Sequence, residues 1–218
     1  DLVVYGASVI YHSFDKQINF KGLSRPKQLQ KCLEALLMLS SIAKYDVFHF
    51  HFGKSLLPYN IDLPFLKMAG KRIVMHYWGS DVRRLSIASK LNKYVTVWSE
   101  DEDKIIKMLK RNSRFVDAAI VADHELYENV NGFFKRIEVI RQVLDLDRFV
   151  AKFPALDTAK PLIVHSPSYR QIKGTEYVLN AIKILESEGH DFDFKLVENI
   201  PNQDALKIYQ EADIIVDQ

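Results

Sequence analysis

The chain has 218 residues, 48% of them hydrophobic, 27% charged and 11% aromatic. That composition excludes a disordered, collagen-like or low-complexity polymer and leaves room for one large domain or two small ones. Thirty Lys and Arg against 28 Asp and Glu give a net charge of +2, so no broad grip on nucleic acid is expected, although a local basic pocket remains open. The single cysteine, Cys32, cannot form an internal disulfide, and its helical neighbours point to a buried thiol in a reducing compartment. The longest apolar runs, such as Leu36–Leu39 and Ala118–Ala122, are far too short to cross a bilayer.

Short apolar runs alternate with helical patterns along the chain. Leu2–Tyr5, Val47–Phe52, Arg72–His76, Ala118–Ala122 and Ile137–Ile140 are predicted strands, four to six residues rich in β-branched or aromatic side chains. Between the first two, Leu29, Cys32, Leu33, Leu36 and Leu37 recur as one face of an amphipathic helix, with Pro26 near its start and Ser24 as its cap. Ile105, Ile106, Met108 and Leu109 predict another helix, entered through Ser99 and the acidic stretch Glu100–Asp103. Continuous apolar strands separated by helices imply parallel strands buried on both faces. Residues 1–150 are therefore expected to form one α/β domain. A linker follows over 151–160, bracketed by Pro154 and Pro161. A second β–α–β–α–β unit then begins: strand Leu162–His165, helix Thr175–Glu188, strand Phe192–Val197, helix Asn202–Glu211 and strand Ile214–Val216. In its first helix Tyr177, Val178, Ala181, Ile182 and Leu185 share a face, and Gly189 lies just beyond the end. Three strands make half of a doubly wound domain, so residues 161–218 are expected to be the incomplete part of a longer one.

Two nucleotide-binding signatures fail. No Gly-x-Gly occurs, and Gly53-Lys54-Ser55 lacks the glycine five residues earlier that a phosphate loop needs, since Phe48 stands there. A Gly-x-Ser-x-Gly elbow is also missing. His49 and His51 are two apart on a predicted strand and so share a face. With His76 they could be a zinc set, packed structural histidines or substrate contacts, and the sequence leaves all three open.

Two segments carry chemistry. Ser166–Thr175 leaves a buried strand and enters a helix at Gly174, and Arg170 and Lys173 add two charges beside a helix N-terminus that already attracts anions. A diphosphate suits this arrangement better than a single carboxylate, and the alternative is two solvated surface cations. His76-Tyr77-Trp78-Gly79-Ser80-Asp81 lies at the C-terminal end of a strand, the edge where open α/β sheets bind ligands. There Trp78, Gly79, Ser80 and Asp81 could stack on and hydrogen-bond to a polar ring; otherwise Asp81 caps the next helix through the N–H of Arg83 or Arg84. His51, Gly53 and Lys54 occupy the matching loop after the preceding strand.

The order of four segments resembles family 4 glycosyltransferases: Asp46–His51, Trp78–Arg83, Ile140–Phe149 and Ser166–Thr175, with Ala212–Val216 similar to the strand before that family's donor-sugar motif. The resemblance implies the GT-B fold, two Rossmann-like doubly wound domains with an acceptor-side N-domain and a nucleotide-sugar-binding C-domain. It implies retaining transfer to an acceptor glycan, lipid or small molecule, without a resident metal or cofactor beyond the donor itself. Lys173 matches the lysine that contacts the donor diphosphate, with Gly174 after it. The arginine partner usually stands where this chain has Ser168, so Arg170 would act from a shifted position. Trp78 occupies the column of the family's catalytic-side histidine, with His76 two residues before it. His76 and Asp81 are the expected catalytic-side residues, and His51, Gly53, Lys54, Trp78, Gly79 and Ser80 the expected acceptor or cleft residues. The family's paired glutamates and its glycine-rich acceptor loop are not in this chain. A cytoplasmic setting, with peripheral association at the inner membrane face, accompanies these expectations. The competing readings are a non-catalytic two-lobed binding module and a glycosyltransferase relative that has lost activity, the latter because of Trp78.

Overall fold

The computed structural model describes residues 3–5, 16–18, 29–30, 33, 43–142, 153 and 158–217. The chain is α/β, and among the described residues every strand pair is parallel, a Rossmann-like architecture. It divides into two compact units, Asp1–Leu91 with Ser99–Gln142, and Asn92–Trp98 with Val143–Gln218.

In the first unit β1 (Val3–Tyr5) pairs with β2 (Lys16–Ile18) as a sheet of two. A separate sheet of four runs in the order β3 (Val47–His51), β4 (Arg72–Tyr77), β5 (Ala118–Val121) and β6 (Ile137–Val139). The sequence predicts one sheet here and does not predict β2. Around the larger sheet lie α1 (Leu63–Met68), α2 (Leu85–Leu91), α3 (Glu102–Asn112) and α4 (His124–Val130). Only α3 has a run of apolar positions long enough to be read in advance. It begins where expected, with the Asp101 carboxylate accepting from the Lys104 N–H and so meeting one of the donors a helix start leaves unpaired.

Ile73, Met75 and Tyr77 alternate along β4, and all three are fully buried with Leu63, Leu66, Leu109, Ala119, Val121 and Val130. Each large side chain so buried contributes about 1.5–3 kcal/mol. β3 departs from the expectation of two buried faces: Phe48 and Phe50 turn inward, whereas Val47, His49 and His51 are exposed. The predicted helix over Leu29–Leu37 is helical at residues 29, 30 and 33, but Leu29 and Leu33 are exposed rather than buried. Ser24, Pro26, Cys32, Leu36 and Leu37 lie outside the described residues, as do 143–149 and most of the predicted linker.

In the second unit three parallel strands run β8 (Asp193–Leu196), β7 (Leu162–His165), β9 (Ile214–Val216), with α5 (Thr175–Ser187) and α6 (Asn202–Glu211) as the crossovers. These five elements follow the sequence prediction within two residues at each end. The buried face of α5 is narrower than predicted. Ile182 is buried, whereas Tyr177 and Ala181 are exposed, because a sheet of three strands covers little more than one stripe of a helix. Among the described residues no helix is long and apolar enough to cross a membrane.

Candidate functional site

The C-terminal ends of β3 and β4 carry the first cluster. His51 stands directly opposite His76 in the strand register, and His49, two residues back, shares their face. The rings form a stack: His49 and His51 are 4.5 Å apart, His76 and Trp78 4.8 Å, and Phe52 and Trp78 5.6 Å, with ring planes within 26° of parallel in each pair. The Trp78 indole N–H donates to His51 Nδ1 at 3.0 Å. His76 is buried, and its Nε2 has no hydrogen-bond partner among the described residues. Burial lowers the pKa of all three imidazoles, and for His51 the further repulsion of His49 and His76 brings it from 6.5 to about 4. The histidines are therefore neutral at pH 7, and one ligating nitrogen from each lies within 4.8 Å of the other two. As whole residues His49 and His51 are exposed, whereas His76 is buried.

Asp81 does not cap the following helix. Its Oδ1 accepts from the backbone N–H groups of Trp78 and Gly79, so the carboxylate closes its own turn backwards. The Arg83 N–H goes to the Gly79 carbonyl and the Arg84 N–H to Asn129 Oδ1. The turn requires φ = 126° at Gly79, a conformation that L side chains rarely adopt. Asp81 Oδ2 is buried without a partner among the described residues, and desolvation raises the carboxyl pKa. Arg83 latches the same turn to α4 through a bidentate pair with Glu125 at 2.7–3.0 Å. Ser80 is exposed at its tip.

The loop after β3 is rigid for reasons invisible in its own residues. Phe52 and Gly53 both have positive φ, and the Gly53 carbonyl accepts from the side-chain amides of Asn60 and Asn112. Asn60 donates on to Asn112 Oδ1 at 2.7 Å and accepts from the Ser55 N–H. Asp62 is fully buried and accepts from the Ser55 hydroxyl and the N–H groups of Leu56 and Leu57. Ser55 is thereby committed to holding the loop, a second reason besides Phe48 that Gly53-Lys54-Ser55 is no phosphate loop. Lys54 is exposed. Asn60 and Asn112 carry no sequence signal for this role, because their shared partner Gly53 is 7 and 59 residues away.

The second cluster is the β7–α5 loop in the other unit. An open cavity of about 890 Å³ is lined there by Ser166 to Gln171, Glu198, Asn199 and Tyr209 among others. Arg170 lines it; Lys173 and Gly174 are not among its lining residues. Gly174 has φ = 62° at the start of α5. The N–H groups of Lys173, Gly174 and Thr175 bond to the carbonyls of Tyr169, Gln171 and Arg170, so these amides serve the turn, and attraction for an anion rests on the side-chain cations and the helix dipole. Arg170 is paired with Glu176 and Glu198, each at 3.3 Å, and Lys173 with Asp217 at 2.6 Å. Arg170 is exposed and Lys173 half-buried, so both remain surface cations, each in an ion pair. His165, fully buried, anchors the loop. Its Nδ1–H donates to the Val216 carbonyl at 2.8 Å, leaving Nε2 to accept from the Thr175 hydroxyl at 3.0 Å.

No protein-family model matches the chain, and no curated protein matches it.

Proposed function

We propose that the chain is part of a retaining glycosyltransferase of GT-B type, moving a sugar from a nucleotide-sugar donor to an acceptor hydroxyl. The observation that supports this most is the β7–α5 loop at the C-terminal edge of a parallel sheet, where Arg170 lines a cavity large enough for a nucleotide and Lys173 follows in the same loop. Glycosyl transfer passes through an oxocarbenium-like transition state while charge grows on the departing phosphate. Fixed cations interact more strongly with that growing charge than with the ground state, and so lower the barrier. In this reading Arg170 and Lys173 exchange their carboxylate partners for the two phosphates, with Gly174 allowing the close approach. In this reading His76 and Asp81 orient the donor sugar or the acceptor hydroxyl. His51, Gly53, Lys54, Trp78, Gly79 and Ser80 then shape the acceptor side. The setting is cytoplasmic, with acceptors at the inner membrane face.

Calorimetric titration of the chain with UDP, GDP and ADP tests this reading. At least one should bind, and Lys173→Ala should weaken it about 10–100-fold, the worth of a charge-assisted phosphate contact. Absence of binding by all three, or equal affinity in the variant, would remove the basis of the proposal. An inactive relative would bind the nucleotide but turn over no donor, the outcome that Trp78 in the histidine column favours.

A further inference from the structure

We propose that His49, His51 and His76 bind a divalent first-row transition ion, with Zn²⁺ the ion that the ligand chemistry favours. The inference goes beyond the transferase reading and does not depend on it.

The argument begins with strand geometry. Residues two apart on a strand face the same way, which puts the imidazoles of His49 and His51 on one side of β3. The β3–β4 register sets His76 opposite His51, so the third imidazole joins them. One nitrogen from each lies within 4.8 Å of the others. A tetrahedral ion with Zn–N bonds of about 2.0–2.1 Å holds its nitrogens about 3.4 Å apart, so ring movements of about 1 Å close the set. His49 and His51 are exposed at the sheet end, which gives them that freedom and gives an ion its entry.

The ligand chemistry is selective. Three imidazoles without a carboxylate suit Zn²⁺, Co²⁺, Ni²⁺ or Cu²⁺ and disfavour Mg²⁺ and Ca²⁺, which require oxygen. His76 Nε2 is a buried polar atom with no partner among the described residues, a state that proteins seldom leave uncompensated. Three protein nitrogens also leave a fourth tetrahedral position to water or an anion.

Trp78 supplies a reporter. Its indole N–H is bonded to His51 Nδ1, which leaves the ring proton on Nε2. An ion taking Nδ1 displaces the indole, and an ion taking Nε2 moves the proton to Nδ1, where the indole can no longer donate. Either route breaks the same hydrogen bond.

The test uses the chain without a polyhistidine tag, in a Trp98→Phe background so that Trp78 is the only tryptophan. One equivalent of Co²⁺ should produce the visible absorption of a tetrahedral complex and change Trp78 fluorescence. Zn²⁺ should displace the Co²⁺, and Mg²⁺ should do neither. His49→Ala should weaken Co²⁺ binding about 100-fold, since loss of a ligand costs at least as much as loss of its supporting residue. His51→Ala, another exposed position, should do the same and guards against misfolding of either variant. No tetrahedral Co²⁺ spectrum at large excess of the ion, or unchanged affinity in both variants, overturns the site. Failure of nucleotide binding leaves it standing, because its readout involves no nucleotide.

Discussion

Lys173 Nζ stands 2.6 Å from Asp217 Oδ1, so the cation expected to face phosphate already holds a carboxylate at the end of β9. Arg170 is engaged in the same way by Glu176 and Glu198. A diphosphate entering this loop has to compete with three carboxylates. Asp217→Asn should therefore tighten nucleoside diphosphate binding about two- to fivefold, the range of a partly exposed ion pair, and the gain should vanish when Lys173→Ala is added. Calorimetry on the two single variants and the double variant checks this; weaker binding in Asp217→Asn would show that Asp217 supports the site instead.

Turnover separates ground-state from transition-state contact. With the complete protein and its nucleotide-sugar donor, Lys173→Ala should lower kcat about 10²–10³-fold, on the scale of a lost oxyanion donor. A kcat within threefold of the parent would place Lys173 outside the chemistry.

Asn112 is fully buried and serves Gly53, Asn60 and Tyr77 together. Asn112→Ala strands those groups without water, which should destabilise the chain by about 1–3 kcal/mol. Urea unfolding measures the loss, and Asn112→Asp, which keeps an acceptor for Asn60 but removes the donor to Gly53, should recover little of it.

A Cβ on Gly53 would lie 3.0 Å from Met108 Sδ and 3.1 Å from the Tyr77 ring, at φ = 63°. The thioether can swing aside; the fully buried Tyr77 ring cannot. Gly53→Ala should cost about 1–3 kcal/mol, and Met108→Ala in the same chain should return only part of it. Complete recovery in the double variant would locate all the strain at Met108.

Acid should weaken the fold through the histidine face. His51 takes up its proton near pH 6.5 when unfolded but only near pH 4 when folded, so between these values the unfolded chain binds more protons. Stability that is fully present above pH 6.5 is lost as the pH falls through that window. His49 and His76 shift in the same direction, while Asp62 and Asp81, whose burial raises their pKa, act oppositely. The decisive quantity is thus a difference: the urea midpoint should drop less between pH 7 and pH 5 in His51→Asn than in the parent. An equal drop would mean that His51 titrates normally in the folded chain.

The amino-acid sequence determined the parallel α/β character of this protein and the positions of eight of the nine strands among the described residues, because an apolar run bounded by turn residues is a local property. It also determined that the chemistry-bearing segments, His76–Asp81 and Ser166–Thr175, leave strands at their C-terminal ends. What the tertiary structure alone decided is which polar group meets which. Asp81 turns back to Trp78 and Gly79 instead of forward to Arg83; Asn112 reaches the Gly53 carbonyl across 59 residues; Lys173 finds Asp217 across 44; His76 comes to rest opposite His51. Periodicity along a chain reports the face on which a side chain lies, but a buried polar atom takes whichever partner the packed sheet and helices bring within about 3 Å, and that neighbour is chosen by the register of strands far apart in sequence.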